Sequence, residues 1–139
     1  MAWFADLSPC DYFGEFKGIR AIGWLEEGHA FVLGKVDRAV YDKLREFCRD
    51  PWTPATLGAM GGVYGCTFCQ YEPIIGWQNL FVPGRGVIYA CPALITHYMN
   101  AHSYAPPQEF CDAVMACPPM RSMDYLKAIL ANGGRELAA

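Results

Sequence analysis

The chain has 139 residues, with 53% hydrophobic and 18% charged side chains. Burial of so much apolar surface can offset the entropy lost on folding, which excludes wholesale disorder. The length predicts one domain over residues 1–139. A formal charge of −3 disfavours phosphate backbones and anionic lipids, and therefore nucleic acid, as partners. No apolar stretch reaches about 18 residues, the length of a membrane span, and the N-terminus lacks a basic-then-apolar leader pattern, so we expect a cytoplasmic protein with no membrane partner.

The first half of the chain predicts a hairpin and then a helix. The runs RAIGWL and HAFVL flank a turn-forming EEG within residues 19–33, which indicates two short strands. Over residues 37–49 the apolar side chains recur on one helical face, Asp37 can cap the start, and Pro51 follows the end. The proline- and glycine-rich segment 51–65 then predicts irregular chain.

The second half predicts a further hairpin. After an extended segment at residues 70–75, the arms NLFV and GVIYA flank PGRG. Pro83 presets the first dihedral angle of this turn, and Gly84 is expected to supply the positive φ of a type II turn. Both arms are rich in residues that favour strands, so this is the clearest hairpin signal in the chain.

Three helices should follow this hairpin. The first covers residues 93–101, with Pro92 as its first residue and Cys91 as its N-cap. The second runs from the Pro106–Pro107 pair to Ala116. The third is capped by Ser122, and its apolar side chains Met123, Leu126, Ile129 and Leu130 repeat at helical spacing. The final RELAA is expected to fray. The predicted fold is therefore α+β, with short antiparallel strands and hairpins around a CxxC turn packed against three C-terminal helices.

Two pairs of metal-ligand residues stand out: Cys66 and Cys69 in CTFC, and His97 and His102 in HYMNAH. A tight turn brings two such thiolates to one cation, and the histidine spacing matches that of Cys₂His₂ zinc sites. The two histidines lie about 140° apart on an ideal helix, so His102 reaches the site only if the helix loosens near Ala101. Residues 70–96 separate the pairs, against about a dozen residues in the usual finger.

Several interpretations of these residues compete. The seven cysteines are an odd number without a leader sequence, which favours reduced thiols, some of them bound to metal. Four protein ligands make a closed, structural Zn²⁺ site. Cys91 could replace a histidine ligand or act as a reactive thiol. With only three ligands the site would be open to water, and Glu72 would be the nearest general base of a hydrolase. A redox dithiol is disfavoured because Pro73 follows CTFC too closely for a helix.

The motif CTFC, followed by VIYACPALITHYMNAHSYAPPQEFCDAVMACPPM, resembles a group of small bacterial proteins of unknown function. They share CxxC, P-x-L-I-x-H-Y, a second histidine and YxPPxEF, and the resemblance extends to DLSPCDYFG and AIGWLEEGHAF. It implies a compact bacterial domain with zinc at Cys66, Cys69, His97 and His102, and it supplies no activity.

From the closed ligand set, and from the lack of any other convincing catalytic motif, we expect a non-enzymatic binding or adaptor module with a protein partner. The alternatives are a zinc hydrolase with an open coordination position and a zinc-finger variant that binds nucleic acid. A hydrolase requires three ligands and a water in a cleft, and a nucleic-acid-binding protein requires salt-dependent binding.

Overall fold

The computed structural model describes residues 3–14, 16–54, 64–69, 75–76 and 78–138. It has the predicted α+β fold, in which helices cover a small sheet and a two-stranded ribbon leads into the CTFC turn. The elements are β1 (Ile19–Ala21), α1 (Arg38–Phe47), β2 (Tyr64–Gly65), β3 (Ile75–Gly76), β4 (Asn79–Pro83), β5 (Ile88–Pro92), α2 (Ile95–Ala101), α3 (Gln108–Ala116), α4 (Met123–Ala131) and α5 (Arg135–Ala138).

The predicted hairpin of NLFV and GVIYA is confirmed as the antiparallel pair β4 and β5. Its turn differs in one respect, because Gly86 (φ 70°), and not Gly84, adopts the left-handed conformation. Gly84 is needed for space instead, since a Cβ there would lie 2.6 Å from the Tyr89 ring. The glycine that supplies the positive φ therefore stands two residues later than predicted.

The hairpin predicted over residues 19–33 is wrong. β1 pairs in parallel with β5, which gives the sheet order β1-β5-β4. The other edge of β1 accepts the N-terminal segment, through the bonds from Leu7 N–H to Ala21 O (2.8 Å) and from Cys10 N–H to Ile19 O (3.1 Å). Both edges of β1 are thus occupied, so the HAFVL run has no place beside it. That run instead meets Tyr104 in an isolated bridge at Leu33.

Helices α1 and α3 confirm the predictions for residues 37–49 and for the segment after Pro107. Asp37 caps α1, its Oδ1 accepting a hydrogen bond from Ala39 N–H at 3.0 Å. The apolar stripes of the two helices are buried where α1 packs against α3, and their buried residues are Val40, Leu44 and Phe47 in α1 and Phe110, Cys111, Ala113 and Val114 in α3.

Helix α2 begins later than predicted. Cys91 and Pro92 are the last residues of β5, paired with Leu80 and Asn79, and the ladder continues as Ala93 N–H donates to Gln78 O at 2.9 Å. The helix starts only at Ile95. The assignments of Cys91 as N-cap and Pro92 as first helical residue are therefore wrong, because hairpin register carries the strand through both positions.

The third predicted helix is confirmed as α4, and Ser122 caps it by accepting from Tyr125 N–H at 3.1 Å. Its buried face differs from the prediction: Tyr125 and Ile129 are buried, whereas Met123 and Leu130 are 69% and 43% exposed. The Tyr125 hydroxyl donates to Phe81 O at 2.6 Å, which turns this face toward β4.

The prediction that the C-terminal RELAA frays is wrong. It forms α5 up to Ala138, and Leu137 is only 1% exposed. Gly134 allows the turn between α4 and α5, since its N–H donates to Ile129 O at 2.8 Å and a Cβ there would collide with Ile129. Burial of one leucine thus orders the short helix, which periodicity alone could not predict from so few residues.

Two segments of the sequence prediction fall largely outside the described residues, namely the irregular chain at 51–65 and the extended segment at 70–75. In the part of the chain that is described, no helix combines the length and apolar character needed to cross a membrane.

Candidate metal centre

The CTFC turn follows β2, which pairs antiparallel with β3. Cys66 is buried, and the turn is tied to the N-terminal part of the chain because the Thr67 hydroxyl accepts a hydrogen bond from Glu27 N–H at 2.8 Å. The Phe68 ring packs edge-on against Phe31 at 5.4 Å and Tyr98 at 6.3 Å between ring centroids. The turn is therefore anchored by aromatic packing as well as by a hydrogen bond.

The two histidines come from the end of α2. His97 lies within the helix, and His102 is its C-cap with a non-helical backbone (φ −121°). Ser103 then adopts the left-handed conformation (φ 55°), and Tyr104 N–H donates back to Tyr98 O at 3.2 Å. This ending matches the predicted break near Ala101. Serine is unusual at this left-handed position after a helix C-cap, where glycine or asparagine is the common residue.

The structure brings the four side chains together. The ligand atoms of Cys66, Cys69, His97 and His102 all lie within 4.8 Å of one another. Sγ of Cys66 is 3.3 Å from Nε2 of His102, and Sγ of Cys69 is 3.3 Å from Nε2 of His97 and 3.7 Å from Nε2 of His102. Zinc–ligand bonds of about 2.3 Å to sulfur and about 2.0 Å to nitrogen imply a sulfur–nitrogen edge of roughly 3.6 Å in a tetrahedron. The residues present therefore fit a tetrahedral metal ion.

Electrostatics around the cluster favour neutral groups. Burial raises the pKa of the Cys66 thiol, although hydrogen bonds from the backbone of Phe68 and Cys69 lower it in part. Burial also lowers the pKa of His97, with a smaller contribution from His102 nearby. The neutral imidazole is the form that binds metal, and a dication offsets the charge of two thiolates, so the bound cluster would carry no net charge.

Cys91 lies apart from this cluster, on β5 and fully buried. Burial raises its pKa well above the ordinary value, and Cys48, Cys10 and Asp6 add to the effect. A thiol at a helix N-cap is stabilised as a thiolate by the helix dipole, but Cys91 lies within β5 and has no such stabilisation. Glu72, the base suggested for a hydrolase, falls outside the described residues.

The remaining cysteines behave as small apolar side chains. Burial raises the pKa values of Cys10, Cys48 and Cys117 to about 11, and it also raises the pKa of Cys111. Thiols with such pKa values stay protonated near neutral pH and are poor nucleophiles. Cys10, Cys111 and Cys117 are buried and Cys48 is half-buried, as is usual for cysteines that pack as small hydrophobic side chains.

Asp6, a partly buried carboxylate, was not singled out by the sequence. Asp6 accepts hydrogen bonds from Gly23 N–H at 3.0 Å and from the Tyr104 hydroxyl at 2.8 Å. It thereby links the N-terminal segment to the chain immediately after His102. Burial raises the pKa of Asp6 and outweighs these two hydrogen bonds, which lower it. No motif marks this pairing, because its partners are distant in sequence.

The raised pKa of Asp6 predicts how Asp6→Asn changes the pH dependence of stability. A carboxyl group whose pKa is higher in the folded state stabilises the fold below its unfolded value near 3.8, and this stabilisation is lost as the pH rises through the folded pKa. The free energy of unfolding of the unaltered protein minus that of Asp6→Asn should therefore fall with rising pH, by ~1.4 kcal/mol for each unit of pKa shift. Urea unfolding of both proteins between about pH 3 and 7 measures this difference.

Metal release at acid pH affects both proteins alike, so it largely cancels in that comparison. A difference that grows with pH would show that the Asp6 pKa is lowered by folding, which contradicts the prediction.

These features define a class, namely a small α+β protein with a Cys₂His₂ cluster that could hold a metal ion. A family model described as a domain of unknown function, DUF7919, matches residues 2–115, a range that contains all four cluster residues. The chain belongs to this family. No curated protein and no solved structure matches the chain.

Proposed function

We propose that this protein is a zinc-stabilised binding or adaptor module, in which Cys66, Cys69, His97 and His102 hold one Zn²⁺ ion. The observation that carries the proposal is the placement of four ligand atoms within 4.8 Å of one another. Two sulfur and two imidazole ligands in a tetrahedral arrangement are typical of zinc. The proposal includes a single domain, a bacterial origin, which the motif resemblance implies, and a cytoplasmic location.

A structural role for the ion is favoured over a catalytic one. Four protein ligands complete a tetrahedron, whereas catalytic zinc keeps one position for water. The ion would join the CTFC turn to the end of α2, two segments that are otherwise held together by the packing of Phe68 against Tyr98 and His102. The placement of the four ligand atoms therefore supports a crosslinking role for the ion.

Metal analysis and chelation test the proposal. Protein purified without added metal should contain one zinc per chain. Complete chelation should alter near-UV circular dichroism, because the Phe68 ring contacts His102 and the Tyr98 ring contacts His97, so the packing of both rings depends on the ion. Part of the helical signal should survive, since α1 and α3 pack against each other away from the site.

Restoring zinc should reverse the change, and magnesium, which prefers oxygen ligands, should not. Purified protein without bound zinc, or a near-UV spectrum unchanged after chelation, would contradict the structural role.

A further inference from the structure

Within the described part of the chain, the backbone of residues 31–35, here called the edge segment, is paired on one side only. Ala105 N–H donates to Val32 O, and Gly34 N–H donates to Ser103 O, both at 2.9 Å. These bonds flank the bridge between Leu33 and Tyr104. In an antiparallel pair of this kind, the central residues direct their own N–H and C=O groups away from each other. Leu33 therefore presents a donor and an acceptor on the outer side.

This outer side is exposed and apolar. No described residue forms a hydrogen bond with the backbone of Leu33, and Val32 and Leu33 are 65% and 69% exposed. Proteins usually protect such an edge with charges, prolines or a covering element, because it can pair with another strand. An unpaired backbone beside exposed apolar side chains is the chemistry that an extended peptide recognises.

A cavity of about 600 Å³ adjoins the edge segment. Val32 and Ala105 both line it, together with Val40 from α1 and Met115 from α3. Gly34 lies on the same face, since a Cβ there would be 3.2 Å from the Cβ of Ala105. Alternate side chains of a strand point to the same face. A peptide paired along Leu33 would therefore direct every second side chain toward this cavity.

The charged residues around the cavity indicate which side chains a bound peptide should have. Its lining includes three aspartates and one lysine, namely Asp6, Asp37, Asp112 and Lys35. Asp37 and Asp112 are exposed and their visible hydrogen bonds use one carboxylate oxygen each, so both keep capacity to accept further bonds. An apolar side chain for the cavity and a basic residue beside it match this lining.

We propose that the edge segment binds an extended peptide from a partner protein by β-strand addition, with one apolar side chain in the adjoining cavity and a basic residue facing Asp37 and Asp112. This rests on the proposed function as a binding module and names its kind of partner. It also connects the partner to the metal, because residues 103–105, which pair with the edge segment, follow His102 directly. Phe31 strengthens that connection, since its ring meets both Phe68 (5.4 Å) and Tyr104 (6.0 Å).

The test selects peptides of about 12 residues from a random phage-displayed library on the full zinc-loaded chain, and then measures their affinity in solution. Enriched peptides should combine apolar and basic residues. Methylating single backbone nitrogens of the best peptide should weaken binding at every second position only, since alternate N–H groups face the edge. Side-chain recognition without strand pairing would not produce this alternation.

Protein variants locate the site. Val32→Lys and Met115→Lys change exposed side chains that line the cavity, and each should weaken peptide binding by about tenfold or more. Met123→Lys is the matched control, because Met123 is as exposed (69%) and lies on α4 outside the cavity lining. Circular dichroism verifies that all three variants fold. Chelation of the unaltered protein should also weaken binding.

Four results would overturn the proposal. The first two are a selection that yields no peptide with a Kd below about 100 μM and a peptide affinity that Val32→Lys leaves unchanged. The third is a loss of affinity on backbone methylation that does not alternate along the peptide. The fourth is a concentration-dependent dimer that Val32→Lys abolishes, which would make a second copy of the chain the occupant of the edge segment. Zinc content measured on the same samples distinguishes a failure of the peptide-binding proposal from a failure of the proposed zinc-stabilised module. Zinc-loaded protein without peptide binding refutes the partner, whereas peptide binding by protein that lacks zinc refutes the metal-stabilised module.

Discussion

Replacing Cys66 with alanine is expected to abolish stoichiometric zinc binding and to destabilise the fold more than any other single change at the cluster. Cys66 is only 2% exposed, and its sulfur lies 3.3 Å from Nε2 of His102, so no water or other side chain can replace it without rearrangement. An ion present at about a thousand times its Kd stabilises the folded state by ~4 kcal/mol. We expect a loss of at least this size, measured by urea unfolding together with metal analysis.

Cys111→Ala is the control for the Cys66 variant. Cys111 is also buried, at 6% exposure, but it lies on α3 outside the cluster. Its replacement removes one buried sulfur and should cost about 1 kcal/mol, with zinc content unchanged. Full zinc content in Cys66→Ala, or equal destabilisation by the two variants, would show that Cys66 is only a buried thiol.

Replacing Phe81 with alanine is expected to lower the free energy of unfolding by ~3–5 kcal/mol, the usual cost of removing a buried phenylalanine ring. Phe81 lies on β4 and is 1% exposed, and its ring packs against Phe13 at 5.1 Å and Trp52 at 6.0 Å between centroids. Its carbonyl also accepts the hydrogen bond from Tyr125. The cavity left by alanine would therefore lie between the sheet, α4 and the N-terminal segment.

Urea unfolding of zinc-loaded protein measures this effect, and Phe81→Leu should show a smaller loss because it fills part of the cavity. Met123→Ala, at a 69% exposed position, should change stability by less than about 0.5 kcal/mol. Zinc content should stay at one per chain in all three variants. A loss below about 1 kcal/mol in Phe81→Ala would contradict the assignment of this ring to the core.

The two variants of largest effect act on separate parts of the molecule. Cys66→Ala removes a crosslink between the CTFC turn and α2, whereas Phe81→Ala removes packing between the sheet and α4. Since the contacts described for the two sites have no residue in common, their destabilisations should add within about 0.5 kcal/mol in the double variant.

Much of the candidate site was predictable from sequence because its two halves are local. CTFC predicts a turn with two thiols on one side, and the spacing of the histidines required the helix to end near Ala101, where it does end. The fourth ligand, His102, is the non-helical C-cap of α2, and the left-handed Ser103 follows it. Serine is not a typical residue for that conformation, so no sequence rule marked it.

The sequence by itself determined the elements whose periodicity, turn residues and caps lie within a few residues of one another. They are α1 with its Asp37 cap, the β4–β5 hairpin, α3 and the Ser122 cap of α4. The tertiary structure decided which distant segments meet. It paired β1 in parallel with β5 and not with the HAFVL run, kept Cys91 in a strand, chose Tyr125 for the buried face of α4, and brought CTFC to the end of α2. Local periodicity and capping depend on neighbours in the chain, whereas these outcomes depend on competition among distant partners for the same edges and the same core.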